Sequence, residues 1–137
     1  MIIRTEKMSD FFTKHHIEGL PFSAVLHQFT APDEGDPHDH PFGFRSFILR
    51  GGYVEEIYDL NGRVRRRVNA VGDVLWFEPS HIHRIIRLMG KECWTLILPT
   101  EAVRKPGFYQ FQEDGVYHRF WDQTEFTLLR KKDELGL

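Results

Sequence analysis

A chain of 137 residues is long enough for one domain with its own core, and 41% hydrophobic and 28% charged residues are ordinary for a soluble globular protein. A formal net charge of -2 gives no electrostatic attraction to nucleic acid or to an anionic membrane surface, and no apolar run approaches a bilayer span. The single cysteine, Cys93, excludes an internal disulfide and is typical of a reducing compartment. We therefore expect a cytoplasmic single domain over residues 1–137, with neither nucleic acid nor membrane as a partner.

The chain changes character at Pro21. Residues 5–19 have Thr5 or Ser9 near their start and Gly19 at their end, and we expect a short N-terminal helix there. After Pro21 the sequence favours strands, separated by polar segments rich in proline, glycine and aspartate. The predicted strands cover residues 22–30, 45–49, 53–58, 74–77, 81–88 and 93–98.

Turn signals lie between these strands. Asn61-Gly62 separates YVEEIYDL from RVRRRV and predicts a hairpin, while Gly51-Gly52 predicts a bulge or a sharp bend. A second hairpin is expected across residues 89–91. Short strands at regular spacing with turns between them indicate an all-β sandwich or a small barrel, with its core at about residues 22–98.

The segment that follows Pro99 is rich in aromatic residues. The stretch PGFYQFQEDGVYHRFWD predicts irregular chain that wraps across a face or an edge of the barrel. The tail LLRKKDELGL is charged, and we expect it to be helical or frayed. The C-terminal part of the chain is therefore expected to cover the barrel rather than to extend its sheets.

Two His-x-His pairs are the chemically informative feature of the sequence. Residues i and i+2 of a strand point the same way, so His38 and His40 can aim at one point, as can His81 and His83. Imidazole nitrogens bind first-row metal ions at about 2.0–2.2 Å. The two pairs therefore predict a metal site, in which His81 is a fourth ligand, a neighbour of the ligands or a residue outside the barrel.

The two pairs lie within motifs that resemble those of the cupins. His38-x-His40 is followed by FILRGG, which is similar to the end of the first cupin motif, and the run from Gly72 to His83 is similar to the second motif. The likeness covers roughly residues 22–98. It implies a double-stranded β-helix, or jelly-roll barrel, with His38, His40 and His83 as ligands of a divalent metal ion.

The chain departs from the family pattern at the carboxylate ligand. Depending on the glycine from which one counts, the position of the usual glutamate falls on Phe44 or Arg45, and neither can bind a metal ion. What remains resembles the three-histidine iron centre of cysteine dioxygenase-type cupins. The resemblance implies iron(II), with nickel, zinc or manganese as alternatives, at a facial triad whose open positions take substrate and O2.

Three neutral imidazoles leave the charge of the metal uncompensated, which favours a small anionic substrate. Arg45, if it faces inward, would hold the far end of that anion. We expect Phe44 and His81 to contact the substrate as well, in a dry cavity lined by Phe42, Phe44 and Trp94.

Three functions fit these residues. The first is a metal-dependent dioxygenase or other oxidoreductase, and the second is a non-catalytic cupin that binds or senses a sugar, an acid or a metal. The third is a metal-free isomerase with a histidine as its base.

We further expect a homodimer, since cupins often dimerise through sheet edges. The arginine run of residues 63–67 is expected to guard a strand edge and to pair with Glu55 and Glu56 across the hairpin.

Overall fold

A computed structural model describes residues 1–132, and in that range the protein is built from β-strands. Twelve strands follow one another along these residues: β1 (Ile2–Lys7), β2 (Phe12–Glu18), β3 (Ala24–Phe29), β4 (Phe44–Arg50), β5 (Tyr53–Tyr58), β6 (Val64–Asn69), β7 (Val74–Phe77), β8 (Ile82–Leu88), β9 (Cys93–Pro99), β10 (Gly107–Gln112), β11 (Gly115–Phe120) and β12 (Thr127–Lys131). The all-β prediction is confirmed. No helix among these residues has the length and hydropathy needed to cross a membrane.

The strands form three antiparallel sheets. The largest has six strands in the order β1-β2-β3-β9-β4-β7, and the two others have the orders β6-β5-β8 and β10-β11-β12. His38 connects the smaller sheets, because it makes isolated bridges to His83 of β8 on one side and to Phe108 of β10 on the other. The segment that carries the first histidine pair is therefore held between two sheets.

The core lies between the six-stranded sheet and the sheet of β5 and β8. Phe29, Ile48 and Cys93 of the large sheet pack against Tyr53 of β5 and Ile85 of β8. These five buried side chains come from five strands and hold the two sheets together. Burial of large apolar side chains of this kind contributes about 1.5 to 3 kcal/mol each.

The N-terminal helix predicted over residues 5–19 is wrong. These residues lie in β1 and β2, which pair in register from Ile2 opposite Glu18 to Lys7 opposite Thr13. β2 then pairs with β3 along its length, and Phe12 packs against the main core. Backbone pairing with an available strand and burial of one face outweigh the weak helical signal of a segment with few apolar residues.

The predicted hairpin between β8 and β9 is wrong. β8 and β9 do not form a hairpin across residues 89–91, because β8 pairs with β5 while β9 pairs with β3 and β4, so this connection crosses from one layer to the other.

The expectation for the C-terminal segment is also wrong. The segment after Pro99 is not irregular, since it contains β10, β11 and β12. Gly115 allows β12 to approach the start of β11 closely, because a Cβ atom there would lie 2.1 Å from the carbonyl oxygen of Arg130. The charged tail is not helical or frayed at its start, which lies in β12, and residues 133–137 lie outside the described residues.

Other local predictions are confirmed. Asn61-Gly62 lies in the turn between β5 and β6, where Gly62 has a φ of 84°. Gly51 and Gly52 separate β4 from β5 and also have positive φ angles, as a sharp bend requires. Across the first hairpin Glu55 is opposite Arg67 and Glu56 is opposite Arg66, and both pairs form salt bridges.

Candidate metal centre

Three histidines converge in the interior of the protein. His38 and His40 come from the segment before β4, and His83 comes from β8. One ring nitrogen of each lies within 4.8 Å of one nitrogen of the other two. The ring centroids are 5.3 Å apart for His38 and His40, 5.0 Å for His38 and His83, and 4.9 Å for His40 and His83. The structure thus brings together the three residues that the sequence predicts as metal ligands.

Strand pairing explains why His38 and His83 meet. The N–H of each donates to the carbonyl oxygen of the other at 2.9 and 3.0 Å, so the two residues face each other as a cross-strand pair. Side chains opposite each other on neighbouring strands emerge on the same face. His40 follows two residues after His38 and returns to that face. Its N–H is anchored by the carbonyl oxygen of Pro79, 3.1 Å away.

A spacing of 3.3 Å separates Nε2 of His40 from Nε2 of His83. Two nitrogens that each lie about 2.1 Å from one metal ion, at octahedral to tetrahedral angles, are about 3.0 to 3.4 Å apart. The separation of these two atoms therefore fits a pair of ligands to one ion.

Glu55 fixes the tautomer of His83. Its carboxylate, in the middle of β5, is fully buried and accepts a short hydrogen bond from Nδ1 of His83. Burial raises the pKa of Glu55, but hydrogen bonds from His81 and His83 outweigh burial, so the pKa lies well below its usual range. An ionised carboxylate accepts only, so the proton of a neutral His83 is on Nδ1 and the lone pair of Nε2 points toward His40.

The remaining hydrogen-bond capacity of Glu55 is occupied. Its other oxygen accepts from Nη2 and Nε of Arg67 at 2.6 and 3.0 Å and from Nδ2 of Asn69 at 3.0 Å. Nε2 of His81 lies 3.3 Å from the oxygen that His83 contacts. Glu55, His81 and His83 also lie at metal-binding distance from one another. Because the Glu55 carboxylate already has five donors, we assign it to orienting His83 rather than to binding the ion.

Burial keeps the other two histidines neutral. It lowers the pKa of His38 to about 4, with the neighbouring His83 acting in the same direction. Burial, followed by the charges of the surrounding histidines, holds the pKa of His40 well below its usual value. Nδ1 of His40 is buried without a hydrogen-bond partner among the described residues. A neutral imidazole is the form that binds a metal ion, so this donor set fits a divalent transition metal at neutral pH.

Asp39 lies between His38 and His40 in the sequence and points away from their rings. Only 2% of its surface is exposed, and its carboxylate accepts hydrogen bonds from the Gly107 N–H and the Tyr109 hydroxyl, both at 2.7 Å, and from Nη2 of Arg104 at 2.9 Å. All three donors belong to the segment after β9. Asp39 therefore attaches the loop that holds His38 and His40 to the C-terminal sheet.

Only some of the residues that the sequence predicts to contact the substrate lie near the three histidines. Phe44 is buried, and its ring packs edge-on against His40 with centroids 4.9 Å apart. His81 lies 4.8 Å from the His83 ring, and its contact with Glu55 holds it beside the triad rather than within it. Arg45 is exposed and alternates along β4 with buried Phe44 and Ser46, so it emerges on the opposite face of the sheet and is not brought to the histidines.

Trp94 also lies outside the expected cavity. It pairs with Gln28 on the outer face of the six-stranded sheet and stacks on His15 with ring centroids 5.4 Å apart. Phe42, by contrast, packs against a core cluster that contains Phe44.

Glu55 and Asp39 are the residues that sequence reasoning missed. Each had a signal in the local pattern. Glu55 alternates with Tyr53 and Ile57 along β5, so it lies on the face that those apolar residues bury. Asp39, the residue between two inward-facing histidines, must face the other way.

No protein-family model and no curated protein matches the sequence. Solved structures do match. Hydroxypropylphosphonic acid epoxidase from S. wedmorenis is 11% identical, with a TM-score of 0.57 over 72% of this chain and 55% of that chain. The Lactobacillus farciminis oxalate decarboxylase formate complex is 18% identical, with a TM-score of 0.58 over 74% and 31%. The capsular polysaccharide assembling protein CapF from Staphylococcus aureus is 12% identical, with a TM-score of 0.61 over 76% and 30%.

These similarities establish the architecture. The chain spans about half of the length of the epoxidase and less than a third of the length of the other two. All three have the cupin fold, and at such low identity the likeness concerns the fold alone. Together with the converging histidines in their motif order, it leads to the conclusion that this chain has the cupin fold.

Proposed function

We propose that the protein is a metal-dependent enzyme in which His38, His40 and His83 hold a divalent ion, iron(II) first among the candidates, that acts on a small anionic substrate. The observation that carries the proposal is the convergence of three imidazoles, one of which is oriented by a buried carboxylate. A carboxylate behind a histidine ligand is the usual arrangement around protein-bound metals, since it orients the ring and raises its basicity.

The charge of the donor set favours an anion. Three neutral ligands leave the full charge of a divalent ion uncompensated, and a triad leaves coordination positions open to a chelating substrate. Among the solved structures with this fold, two proteins are named for hydroxypropylphosphonic acid and for oxalate, and one structure is that of iron(II) HppE. These names support the same substrate class here and an oxidoreductase, with a dioxygenase as the specific form that we propose.

The residues around the ion would each have a different role. A bound iron(II) ion would supply redox and Lewis-acid chemistry. Glu55 holds the proton of His83 on Nδ1, and Asp39 positions His38 and His40 from behind. Phe44 and Phe77, whose rings stack 4.7 Å apart, exclude water from the side of the site that lies against β4 and β7. Water exclusion strengthens the attraction between the ion and an anionic substrate.

Metal analysis tests the proposal. The protein is purified, reloaded anaerobically with iron(II), and compared with His40→Ala and with the control His15→Ala, whose ring stacks on Trp94 outside the barrel. We expect one ion per chain in the wild type and the control and almost none in His40→Ala. Equal, negligible metal in all three would reject the metal centre.

Oxygen consumption then tests turnover. The iron-loaded protein is offered thiols, diketones and oxo-acids, and uptake of O2 above that of the His40→Ala variant is the expected result. Iron that binds stoichiometrically without O2 uptake on any of these substrates would favour the non-catalytic binding protein.

The expected homodimer is a separate prediction. Light scattering would check it by measuring a mass twice that of the chain.

A further inference from the structure

A polar row crosses the inner face of the six-stranded sheet. Lys14 of β2 is opposite His27 of β3, and His27 is in turn opposite Thr95 of β9. His27 alternates along β3 with Phe29, a member of the main core, so the row faces the interior. The six-stranded sheet therefore presents an ammonium, an imidazole and a hydroxyl on the side toward which the triad points.

His27 is opposite Lys14 on the sheet and interacts electrostatically with both Lys14 and His40. Burial first, and the charge of Lys14 second, lower the pKa of His27 to about 3. His27 is also one of the groups whose charge lowers the pKa of His40. Its ring packs edge-on against Phe12 and Phe29, at 5.0 and 5.9 Å between centroids. The row consequently leads from the half-buried Lys14 toward His40.

Lys14 has no carboxylate partner within salt-bridge distance in the part of the chain that the structure describes. The acid opposite it on β1 is Glu6, whose carboxylate contacts Nε2 of His16 at 2.8 Å and is attracted to Lys14 only from a longer distance. The ammonium lies 5.8 Å from the centre of the Phe12 ring. A half-buried ammonium that no carboxylate contacts directly attracts a further anion more strongly than an exposed one, because water screens it less.

We propose that Lys14, together with His27 and Thr95, binds the far end of an anionic substrate whose near end chelates the metal held by His38, His40 and His83. The inference rests on the proposed metal centre and names its substrate class: a small molecule with two acidic groups, one for the ion and one for the ammonium. Lys14 thereby takes the place that the sequence suggested for Arg45, which is exposed on the outer face.

One other cation competes for this assignment. Arg119 of β11 is opposite Phe108, and Phe108 is opposite His38, so Arg119 lies on the same face as the triad two strands away. Its guanidinium stacks 4.5 Å from the Phe108 ring centre, and Nη1 donates to the carbonyl oxygen of Gln123 at 2.7 Å. These contacts hold Arg119 in place, whereas Lys14 has its contact with the Phe12 ring and a longer-range attraction to Glu6.

Calorimetry with cobalt(II)-loaded protein tests the proposal. The metal content of each sample is measured first, and the protein is then titrated with oxalate, malonate, succinate and glutarate, each beside the monocarboxylate of matched chain length. The variants are Lys14→Met, Lys14→Arg, Arg119→Met and the control Lys91→Met, which changes an exposed lysine in the turn before β9.

We expect one or two of the dicarboxylates to bind more tightly than their monocarboxylate partners. Lys14→Met should weaken those dicarboxylates about tenfold or more, the loss of one charge-assisted contact, and leave the monocarboxylates unchanged. Lys14→Arg should retain part of the preference, and Lys91→Met all of it.

Four outcomes overturn the inference. With cobalt bound, an absent dicarboxylate preference or an unaltered preference in Lys14→Met would reject the Lys14 site and leave the metal centre standing. Loss of the preference in Arg119→Met alone would move the site to β11. Wild-type protein that takes up no cobalt would reject the metal centre itself, and the present inference with it.

Discussion

The two His-x-His pairs have the same spacing, but only the first pair contributes both of its histidines to the triad. In the first pair both His38 and His40 reach the triad, and the residue between them is the buried acid Asp39. In the second pair His83 reaches the triad while His81 is held at Glu55, and the residue between them is the apolar Ile82. Equal spacing in sequence therefore does not give equal roles.

The backbone around each pair explains the difference. His38 is bridged to strands on both sides, and His40 is anchored to Pro79, so both rings are carried inward. His81 precedes the first residue of β8 and lies in a turn, where its N–H donates to the carbonyl oxygen of Glu78. Outside the regular strand, alternation no longer dictates the direction of the side chain, and the carboxylate of Glu55 determines it instead.

The largest expected effect separates the two pairs directly. His40→Ala should abolish stoichiometric metal binding, because it removes one of three ligands, whereas His81→Ala should retain about one ion per chain with a moderately lower affinity. Elemental analysis after dialysis against excess metal measures both variants. Loss of the ion in His81→Ala, with retention in His40→Ala, would identify Glu55, His81 and His83 as the ligand set.

Replacement of the carboxylate behind His83 tests whether Glu55 orients the one histidine of the second pair that reaches the triad. Glu55→Gln should lower the free energy of unfolding by about 3 to 5 kcal/mol, since it leaves the partly buried Arg67 without its counterion. It should also weaken metal binding about 10- to 100-fold, because His83 loses the group that orients it. Urea unfolding and competition with a chelating dye are the measurements. Glu18→Gln, in an exposed salt bridge with Arg4, is the matched control and should change stability by less than about 1 kcal/mol. Unaltered metal affinity in folded Glu55→Gln would contradict the orienting role.

Asp39 offers the corresponding test at the first pair. Asp39→Asn replaces an oxygen that accepts hydrogen bonds with an amide that donates, opposite three donors, and should cost about 2 to 3 kcal/mol of stability. Metal affinity should fall in the same variant, because the loop of His38 and His40 loses its attachment. Asp10→Asn, at an exposed aspartate beside Lys7, should leave both quantities unchanged. An Asp39→Asn protein of wild-type stability would show that the carboxylate is not the anchor.

The pH dependence of the metal-free protein gives the effect that is smallest near neutral pH. His27 has a folded pKa of about 3 against an ordinary value of 6.5, so the unfolded chain binds a proton that the folded chain does not. Stability is therefore fully present above about pH 6.5 and falls as the pH is lowered toward 3, by at most about 1.4 kcal/mol per pH unit for this group. His27→Gln should flatten the slope of unfolding free energy between pH 4 and 6. Equal slopes in wild type and variant would place His27 in contact with water.

Much of the site follows from local sequence. The His-x-His spacing at residues 38–40 and the Asn61-Gly62 turn act through short-range geometry, which a sequence displays directly. Glu55 was not recognised because it lies on a different strand from the position at which the cupin pattern has its glutamate, and only the pairing of β5 with β8 brings it to His83. Arg45 was misjudged because the phase of alternation on β4 depends on which face the layer opposite covers.

The same limit applies to the two ends of the chain. Residues 5–19 contain a weak helical pattern, and their strands form because β3 offers an edge for pairing. The segment after Pro99 becomes a sheet through hydrogen bonds that tie it to Asp39 and His38, almost seventy positions earlier. Long-range pairing of this kind leaves little trace in the local composition.

X-ray absorption spectroscopy of the metal-loaded protein tests the central claim most directly. A centre held by His38, His40 and His83 predicts three imidazole ligands at about 2.0 to 2.2 Å, with the outer-shell scattering of histidine rings, reduced to two imidazoles or to no bound metal in His40→Ala. A first shell with a protein carboxylate and two imidazoles that is unchanged in His40→Ala would contradict the account and assign the ion to Glu55, His81 and His83.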